Sequence, residues 1–404
     1  MQGGKWIRTG AAATSLAACL CLSPTVAASA AAPAAAAPVP PAIASTAVVL
    51  MDQRSGQVLF SHDADTRVGP ASLAKMMTFD LALAAIASGQ AQAAAPVPVG
   101  VDAWRISLNP ADSRMFLLPN VPVPLKDLLI GMMVPSGNDA ALAVADFLGG
   151  TEAGFVSKMN AEAARLGMTS THFVNSHGLG APTQLTTATD MAVLARHIWS
   201  TYPDFRQYTS LPSFTWDKIT QRNWNRLVGT DPRVFGLKSG HLSATGYHLV
   251  ATATGGDLQL IAVVLGAPTL EASANDDEEL LNWGFANFHD VQVNWQASVA
   301  HPAPVWKGHS STVPLRVTAQ PWITLPGAGG PGESIAVEAH LLRPLVAPIA
   351  AGQRLGSVEV WAHGTVVERV PITAAAAVAR GGLLHVAWDA LRLRLGAFFA
   401  HVRL

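Results

Sequence analysis

Three short segments constrain this chain of 404 residues more than any other feature of its sequence. In chain order they are Ser72-Leu73-Ala74-Lys75, Ser136-Gly137-Asn138 and Lys238-Ser239-Gly240. They form an S-x-x-K, S-x-N and K-[ST]-G set, which supplies the hydroxyl, amine and amide groups that acyl transfer through a serine requires. Each segment alone is common in proteins, so the prediction depends on a fold that brings all three together.

Lysine is scarce in this chain, with seven lysines against nineteen arginines. Arginine stays protonated in proteins, whereas burial or a neighbouring cation can make a lysine amine neutral. Positions i and i+3 of a helix share a face, so Lys75 can reach the Ser72 hydroxyl. We therefore predict that Ser72 is the nucleophile and Lys75 its general base, with Lys238 as the second cation that disfavours the charged form of Lys75.

The second motif has two predicted roles in the same reaction. The Ser136 hydroxyl can relay a proton between Lys75 and a leaving amine. The Asn138 amide can hold Lys75 in place and hydrogen-bond the substrate amide. We expect both residues on a loop between two helices.

The third motif is predicted to bind substrate from the edge of a strand. Lys238 can bind a carboxylate with help from the Ser239 hydroxyl, and Gly240 lets the strand backbone approach the substrate. The backbone N–H groups of Ser72 and His241 are the predicted oxyanion hole.

The N-terminus has the pattern of a secretory signal peptide over residues 1–30. A basic start precedes a largely apolar stretch at 11–26 and a small-residue cleavage site, Ala28-Ser29-Ala30. One alternative is an uncleaved membrane anchor, although the apolar stretch is short for a span. Another is lipidation at Cys19, because Leu16-Ala17-Ala18-Cys19 resembles a lipoprotein processing site.

Cys19 and Cys21 are the only cysteines, so the exported chain is expected to use no disulfide or thiolate chemistry. Residues 31–45 are an Ala/Pro-rich tether. The net charge of −1 gives no reason to expect a nucleic-acid partner. These features predict a protein at the periplasmic face of a bacterial inner membrane.

Periodicity predicts an α/β catalytic domain over 46–294, with strands at both ends and a helical insert between them. Strands are predicted at 46–52, 57–61, 234–238, 247–253 and 258–265, and helices at 72–88, 124–150 with a break at 134–137, 151–168, 186–199 and 272–287. Met76, Phe79, Leu83 and Ile86 are spaced for one buried face of the first helix, with Ser72 in its first turn.

After this domain the sequence predicts a small all-β domain over 300–376 and an amphipathic helix over 382–404. The apolar arc of that helix contains Leu384, Trp388, Leu391, Leu395, Phe398, Phe399 and Val402, flanked by Arg392, Arg394 and Arg403. This pattern favours a helix that lies in the surface of an anionic membrane. The alternative is a helix whose apolar arc docks on its own protein.

The motifs and their surroundings resemble the D-alanyl-D-alanine carboxypeptidases, the low-molecular-mass penicillin-binding proteins. The resemblance runs from about Val48 to Leu404 and includes Pro70-Ala71-Ser72-Leu73-Ala74-Lys75, Ser136-Gly137-Asn138-Asp139, His177-Gly178-Leu179, Asn223-Trp224-Asn225, Gly236-Leu237-Lys238-Ser239-Gly240-His241 and Ala244-Thr245-Gly246-Tyr247.

The resemblance implies a penicillin-recognising, β-lactamase-like α/β domain, a β-rich second domain and a C-terminal anchor. It implies removal of the terminal D-Ala from the peptidoglycan stem pentapeptide through an acyl-enzyme on Ser72, in peptidoglycan maturation and cell-shape maintenance. β-Lactams are expected to acylate the same serine. No cofactor and no metal is implied.

Several positions depart from the family pattern. Ser239 stands for the usual Thr, Phe235 for an Asp and Gln184 for a His. No Lys or Arg occurs between Lys238 and Lys307, although the family often has an arginine near Ser273. This last departure predicts weaker binding of the substrate carboxylate.

Three other functions share these motifs. A class A β-lactamase needs a deacylating glutamate, but no E-x-x-x-N stands between the second and third motifs. An endopeptidase that cuts cross-links shares the catalytic domain and typically lacks the β-rich tail. A non-catalytic wall-binding or penicillin-sensing protein would release no D-Ala. The thirteen histidines show no H-E-x-x-H spacing, and we assign no acid–base role to His177 or His241.

Overall fold

The computed structural model describes residues 39–327, 329, 335–362 and 364–401, the last six without their side chains. The predicted signal peptide, both cysteines and most of the predicted tether lie outside the described residues. So do Val402 and Arg403 of the predicted amphipathic helix.

Strands and helices alternate in blocks along the described residues. The strands are β1 (Ala47–Asp52), β2 (Val58–His62), β3 (Pro96–Val97), β4 (Val123–Pro124), β5 (Ser213–Trp216), β6 (Ile219–Arg222), β7 (Val234–Leu242), β8 (Gly246–Gly255), β9 (Leu258–Ala267), β10 (Phe288–Gln292), β11 (Ala303–Pro304), β12 (Thr312–Val313), β13 (Leu315–Val317), β14 (Trp322–Pro326), β15 (Ile335–Leu341), β16 (Arg354–Ala362) and β17 (Thr365–Ala374). The α-helices are α1 (Ala74–Ala87), α2 (Val101–Ile106), α3 (Leu125–Met133), α4 (Asn138–Gly149), α5 (Glu152–Arg165), α6 (Ala188–Thr201), α7 (Arg206–Thr209), α8 (Leu270–Asn287) and α9 (Leu383–His401).

The catalytic part is built on a five-stranded antiparallel sheet in the order β2-β1-β9-β8-β7. One face packs on α8 through a cluster that includes Leu50, Leu260 and Leu281. The other face packs on the helical block through a larger cluster that includes Val49 and Val263. Because β1 and β9 contribute to both clusters, they read in sequence as continuous apolar runs. This arrangement confirms the predicted α/β class with a helical insert.

Helix α1 is buried on all sides rather than on one face. Ten of its fourteen residues are buried, including Met77 and Asp80 beyond the predicted apolar face. The prediction of a single buried face was therefore wrong, because this helix passes through the interior between the sheet and the surrounding helices. A 3-10 turn (Ala71–Leu73) precedes α1, so Ser72 lies just before the α-helix.

The C-terminal part is all-β, as predicted, with a four-stranded sheet in the order β13-β17-β16-β15 and its own apolar cluster. It contacts the catalytic part at the turn after β1. There the Ser55 and Thr324 hydroxyls are 2.7 Å apart, and the Arg54 guanidinium lies 4.5 Å from the centre of the Trp322 ring.

Helix α9 contacts the β-rich part through a polar side chain. Asp389 is buried and accepts a hydrogen bond of 2.6 Å from the Lys307 backbone N–H. The apolar side chains Leu384, Trp388, Leu391 and Leu395 are 90, 60, 49 and 48% exposed. The alternative prediction, in which the apolar arc of this helix docks on its own protein, is therefore wrong for these four residues. Within the described residues, no helix has the length and apolar composition needed to cross a bilayer.

Candidate active site

The three motif segments meet at one cleft of about 230 Å³. Six of the eight residues predicted from sequence line it: Ser72, Ser136, Asn138, Ser239, Gly240 and His241. The other two, Lys75 and Lys238, are buried and do not line the cleft. The described part of the chain therefore places hydroxyl and amide groups at the cleft surface and both amines beneath it.

Lys75 is fully buried and has three hydrogen-bond partners. Its Nζ lies 2.9 Å from Ser72 Oγ, 2.7 Å from Asn138 Oδ1 and 2.5 Å from the His177 carbonyl oxygen. The two carbonyl-type oxygens can only accept, whereas the serine hydroxyl can also donate. A neutral amine matches this set, because it donates two hydrogen bonds and its lone pair can accept the Ser72 proton.

The surroundings of Lys75 favour this neutral form. Burial, and next the charge of Lys238, hold the pKa of Lys75 well below its usual range. Asp139 and Asp112 oppose that shift through their charges, and neither forms an ion pair with Lys75. The amine is thus held by oxygens of neutral groups.

The second motif straddles the start of α4. Ser136 lies between α3 and α4 with a φ of 66°, whereas Asn138 is the first residue of α4, so the loop prediction was wrong for Asn138. The Asp139 carboxylate accepts the Met115 and Leu117 backbone N–H groups at 2.8 and 3.1 Å. These bonds tie the wall of the cleft to the helix that positions Asn138.

Ser136 is held from its other side by Trp224. The Trp224 backbone N–H donates to the Val134 carbonyl at 3.3 Å, and its indole N–H donates to the Pro135 carbonyl at 3.2 Å. The hydrogen-bond partners of Lys75 do not include Ser136 in the described structure, although both belong to the same site. Trp224 is half exposed and lines the cleft.

The third motif lies on β7, at the edge of the sheet. The Lys238 amine donates to the Ser239 carbonyl at 2.9 Å, and burial lowers the pKa of Lys238 to about 7. The Ser239 side chain and His241 face the cleft, and the exposed His241 ring stacks on Tyr247 with centroids 4.1 Å apart.

Two glycines allow the close approach of backbone to the Ser72 turn. A Cβ on Gly240 would lie 3.0 Å from Ala71 Cβ and 3.2 Å from the Ser72 nitrogen. A Cβ on Gly178 would lie 1.9 Å from the Ala71 carbonyl oxygen, and its φ is 92°. Glycine is therefore required at position 240 chiefly because the backbone of β7 lies close to the Ala71–Leu73 turn.

The loop that supplies the His177 carbonyl is braced by Gln184. The Gln184 Oε1 accepts the Val174 and Asn175 backbone N–H groups at 2.8 and 3.0 Å. The Asn175 Oδ1 in turn accepts the Gly178 N–H at 2.7 Å. Gln184, one of the departures from the family pattern, thus orders the segment that touches Lys75.

The other departures are accommodated by packing. The Phe235 ring is buried against Trp199 and Phe205, with the Arg206 guanidinium 3.6 Å from the ring centre. Ser273 is fully buried and donates to the Leu270 carbonyl at 2.8 Å. No Lys or Arg side chain lines the cleft in the described structure.

Sequence reasoning missed three contributors to the site: the His177 carbonyl, Gly178 and Trp224. The segments that contain them were part of the resemblance to the family. However, the His177 contribution is a backbone carbonyl and the Gly178 contribution is the absence of a side chain, and neither can be recognised from residue chemistry in a sequence. Burial, and next the charge of Lys75, lower the pKa of His177 to about 3, so its ring is neutral and has no acid–base signature.

A separate polar cluster joins α1, α5 and α6. The ligand-type atoms of Asp80, Glu162 and His197 lie within 4.8 Å of one another. Arg165 already donates to both oxygens of Glu162, at 2.8 Å through Nε. Burial, and next the charge of Glu162, raise the pKa of Asp80 to about 7. Burial lowers the pKa of His197, so we interpret this cluster as a set of polar contacts between the three helices in which Arg165 and Glu162 form the ion pair.

Two known protein families match this chain, one over the α/β part and one over the β-rich part. The sequence profile described as D-alanyl-D-alanine carboxypeptidase matches residues 33–269. The chain belongs to the D-alanyl-D-alanine carboxypeptidase family. A second profile, described as the C-terminal domain of penicillin-binding protein 5, matches residues 288–380 of the carboxypeptidase.

Named relatives cover almost the whole carboxypeptidase. It is 36% identical to D-alanyl-D-alanine carboxypeptidase DacC of Escherichia coli, over 89% of this chain and 90% of the relative. It is 38% identical to DacD of Salmonella typhimurium, over 90% and 91%. This coverage confirms the predicted activity: the enzyme is a D-alanyl-D-alanine carboxypeptidase.

Solved structures agree with the fold. Penicillin-binding protein 5 of Haemophilus influenzae has a TM-score of 0.76 and 34% identity, over 85% of this chain and all of that chain. Penicillin-binding protein D2 of Listeria monocytogenes, in its ampicillin-bound form, has a TM-score of 0.54 and 30% identity, over 60% of this chain and 98% of that one. Because the first of these spans the β-rich part as well, the two-part architecture is that of the penicillin-binding proteins.

Proposed function

We propose that Ser72 carries out the carboxypeptidase reaction as a nucleophile and that Lys75 is its general base. The observation that supports this assignment is the set of three partners around Lys75, which suits an uncharged amine whose lone pair faces Ser72 Oγ. The substrate is the peptidoglycan stem pentapeptide, whose terminal D-Ala is released.

In the proposed acylation, Ser72 Oγ attacks the carbonyl carbon of the penultimate D-Ala as its proton passes to Lys75. The tetrahedral intermediate collapses when the C–N bond breaks. The leaving amine receives that proton through the Ser136 hydroxyl, which lines the same cleft. Water then attacks the ester, with Lys75 as the base again, and returns Ser72 to its starting form.

The backbone N–H groups of Ser72 and His241 are proposed to stabilise the oxyanion of that intermediate. Asn138 orients both Lys75 and the substrate amide. Ser239 contacts the substrate carboxylate, and Lys238 contributes positive potential from beneath the cleft surface. This role for Lys238 replaces a direct contact, because its amine is buried and bonded to the Ser239 carbonyl.

The proposed nucleophile can be tested with a β-lactam, since these compounds are expected to acylate the same serine. Intact-protein mass spectrometry after benzylpenicillin should show one adduct, and peptide mapping should place it on Ser72. Ser72→Ala should give no adduct, whereas Ser88→Ala, a serine at the far end of α1, should be labelled normally. An adduct on another residue in the folded protein would refute the assignment.

We also propose that residues 1–30 direct export and are removed, and that α9 holds the enzyme at the periplasmic face of the inner membrane. Support comes from the four exposed apolar side chains of α9, whereas Asp389 of the same helix is buried. The flanking Arg392 and Arg394 suit anionic headgroups. Mass measurement of the exported protein tests removal of residues 1–30, which an intact N-terminus would contradict.

Membrane binding by α9 is testable by flotation with vesicles. The protein should float with vesicles that contain phosphatidylglycerol and less with purely zwitterionic ones, because both apolar burial and charge contribute. Trp388→Ser with Leu391→Ser should abolish flotation and leave D-Ala release unchanged. Equal flotation of the wild type and this double variant would show that the apolar arc does not mediate binding.

A further inference from the structure

The polar cluster of Asp80, Glu162 and His197 contains a carboxylate that the fold buries and leaves unsatisfied. Asp80 is 1% exposed, and neither of its carboxylate oxygens has a hydrogen-bond partner within the described residues. A buried carboxylate without a hydrogen bond is costly, and a bound cation is one of the few features that accounts for it. The proposed carboxypeptidase reaction gives Asp80 no role.

The other two residues place ligand-type atoms at the spacing that a metal ion requires. His197 Nε2 lies 3.4 Å from Asp80 Oδ1 and 3.7 Å from Glu162 Oε1. The ligand-type atoms of the three residues all lie within 4.8 Å of one another. In a tetrahedral site with bonds of about 2.0–2.1 Å, neighbouring ligand atoms are about 3.4 Å apart. The three side chains can therefore surround one ion after small movements.

The position of Thr201 suits His197 as a ligand. The other ring nitrogen of His197, Nδ1, lies 3.3 Å from the Thr201 hydroxyl, one turn further along α6. When this hydroxyl accepts the Nδ1 proton, the Nε2 lone pair faces the two carboxylates. Histidines that bind metals usually donate their second N–H in this way, which fixes the tautomer and the direction of the ring.

Arg165 already contacts the cluster from the solvent side. Its Nε donates to Glu162 Oε2 at 2.8 Å, and its Nη2 donates to Glu162 Oε1. The side chain is exposed, so the Nη2 end can turn to solvent and release Oε1 to a metal, while the Nε bond keeps the Glu162 carboxylate oriented. Arg165 and His197 also line a cavity of about 580 Å³, which gives an ion a path from solvent.

From this geometry we propose that Asp80, Glu162 and His197 bind a zinc ion, with water as the fourth ligand. One imidazole and two carboxylates suit zinc, which takes nitrogen and oxygen ligands in a tetrahedral arrangement. The two carboxylates balance the charge of the ion, so its burial adds no unpaired charge. The ion joins α1, α5 and α6, and α1 follows directly on the turn that carries Ser72. Its role is to hold that helix in place.

The test measures zinc binding to untagged, full-length, metal-free protein by competition with a fluorescent zinc chelator. The wild type should bind one ion at this site, and free zinc at about 100 times Kd should raise Tm by about 3–5 °C. Asp80→Asn and His197→Gln should each weaken binding about 100-fold or more, because even the outer partners of metal ligands contribute about 10–100-fold. The same zinc concentration should then raise Tm by less than about 1 °C.

Two further variants are the controls. His62→Gln, at an exposed histidine 3.5 Å from the single carboxylate of Asp63, should bind zinc as the wild type does. Arg165→Gln should bind zinc more tightly, because it removes the cation that competes for Glu162 Oε1. D-Ala release without zinc shows that each variant is folded. Absence of zinc binding by the wild type, or wild-type affinity in folded Asp80→Asn and His197→Gln, would overturn the proposal.

Discussion

Replacement of Lys75 by arginine is expected to lower the rate of acylation by a β-lactam by on the order of 10³, within the range that general-base catalysis contributes. Arginine keeps the positive charge but does not release its proton in a protein. It is also larger, in a position that is fully buried. The measurement is the second-order rate constant for labelling of Ser72 by a fluorescent penicillin.

Because a buried arginine can disturb the fold, a second variant separates the two effects. Lys75→Met is uncharged and of similar size, so it should fold and remain unlabelled. Lys158→Arg, at an exposed lysine whose amine bonds only to the Leu148 carbonyl, is the matched control and should react at the wild-type rate. Labelling of folded Lys75→Met at the wild-type rate would disprove the general-base role.

The pH dependence of the wild-type rate gives the same information without a substitution. The base must be unprotonated to accept the Ser72 proton, so the rate should fall as pH drops through the lowered pKa of Lys75. The alkaline limb for substrates with a carboxylate should appear near pH 7, where Lys238 loses its charge.

Gly178→Ala is expected to disable the site without replacing any catalytic side chain. The new Cβ would lie 1.9 Å from the Ala71 carbonyl oxygen and 2.9 Å from the Ser72 nitrogen, so the Ala71–Leu73 turn must move. Displacement of a nucleophile by about 1 Å can reduce the rate about 10²-fold. The positive φ and the clash together should also lower the free energy of unfolding by about 3 kcal/mol or more.

Gly167→Ala is the control for the backbone contribution. Gly167 has a φ of 78°, but a Cβ there would meet no atom within 4 Å. It should therefore lose only about 1–2 kcal/mol, from the left-handed backbone alone, and should be acylated normally. Urea unfolding and penicillin labelling measure the two effects. Similar acylation rates in both alanine variants would show that the contact between Gly178 and Ala71 does not position Ser72.

The sequence was sufficient for the parts of the site that depend on side-chain chemistry at short spacing. Ser72 and Lys75 are adjacent because their separation along the chain nearly sets their distance, and the strands around Lys238 were predictable from β-type apolar runs. The prediction placed Asn138 on a loop, whereas in the structure it is the first residue of α4. The error is one of the exact helix boundary.

Other features depend on contacts between distant segments. The His177 carbonyl reaches Lys75 only because Gln184 and Asn175 order the loop that carries it. The burial of Lys238 below the cleft, and the exposure of Leu384, Trp388, Leu391 and Leu395 on α9, are set by what packs around them. Local periodicity predicted an apolar arc on α9 but gave no sign of the hydrogen bond that Asp389 accepts from the Lys307 backbone N–H.

The two buried amines also make the stability of the whole protein depend on pH. A lysine whose pKa is lowered by folding binds more protons when the chain is unfolded, so unfolding takes up protons between the folded pKa and the ordinary value. For Lys238 that interval begins near pH 7 and extends to 10.5, and the lowered pKa of Lys75 gives a second such interval below 10.5. A fall in pH through these intervals therefore favours the unfolded chain, so the burial of the two amines makes the free energy of unfolding decrease as an alkaline medium approaches neutrality.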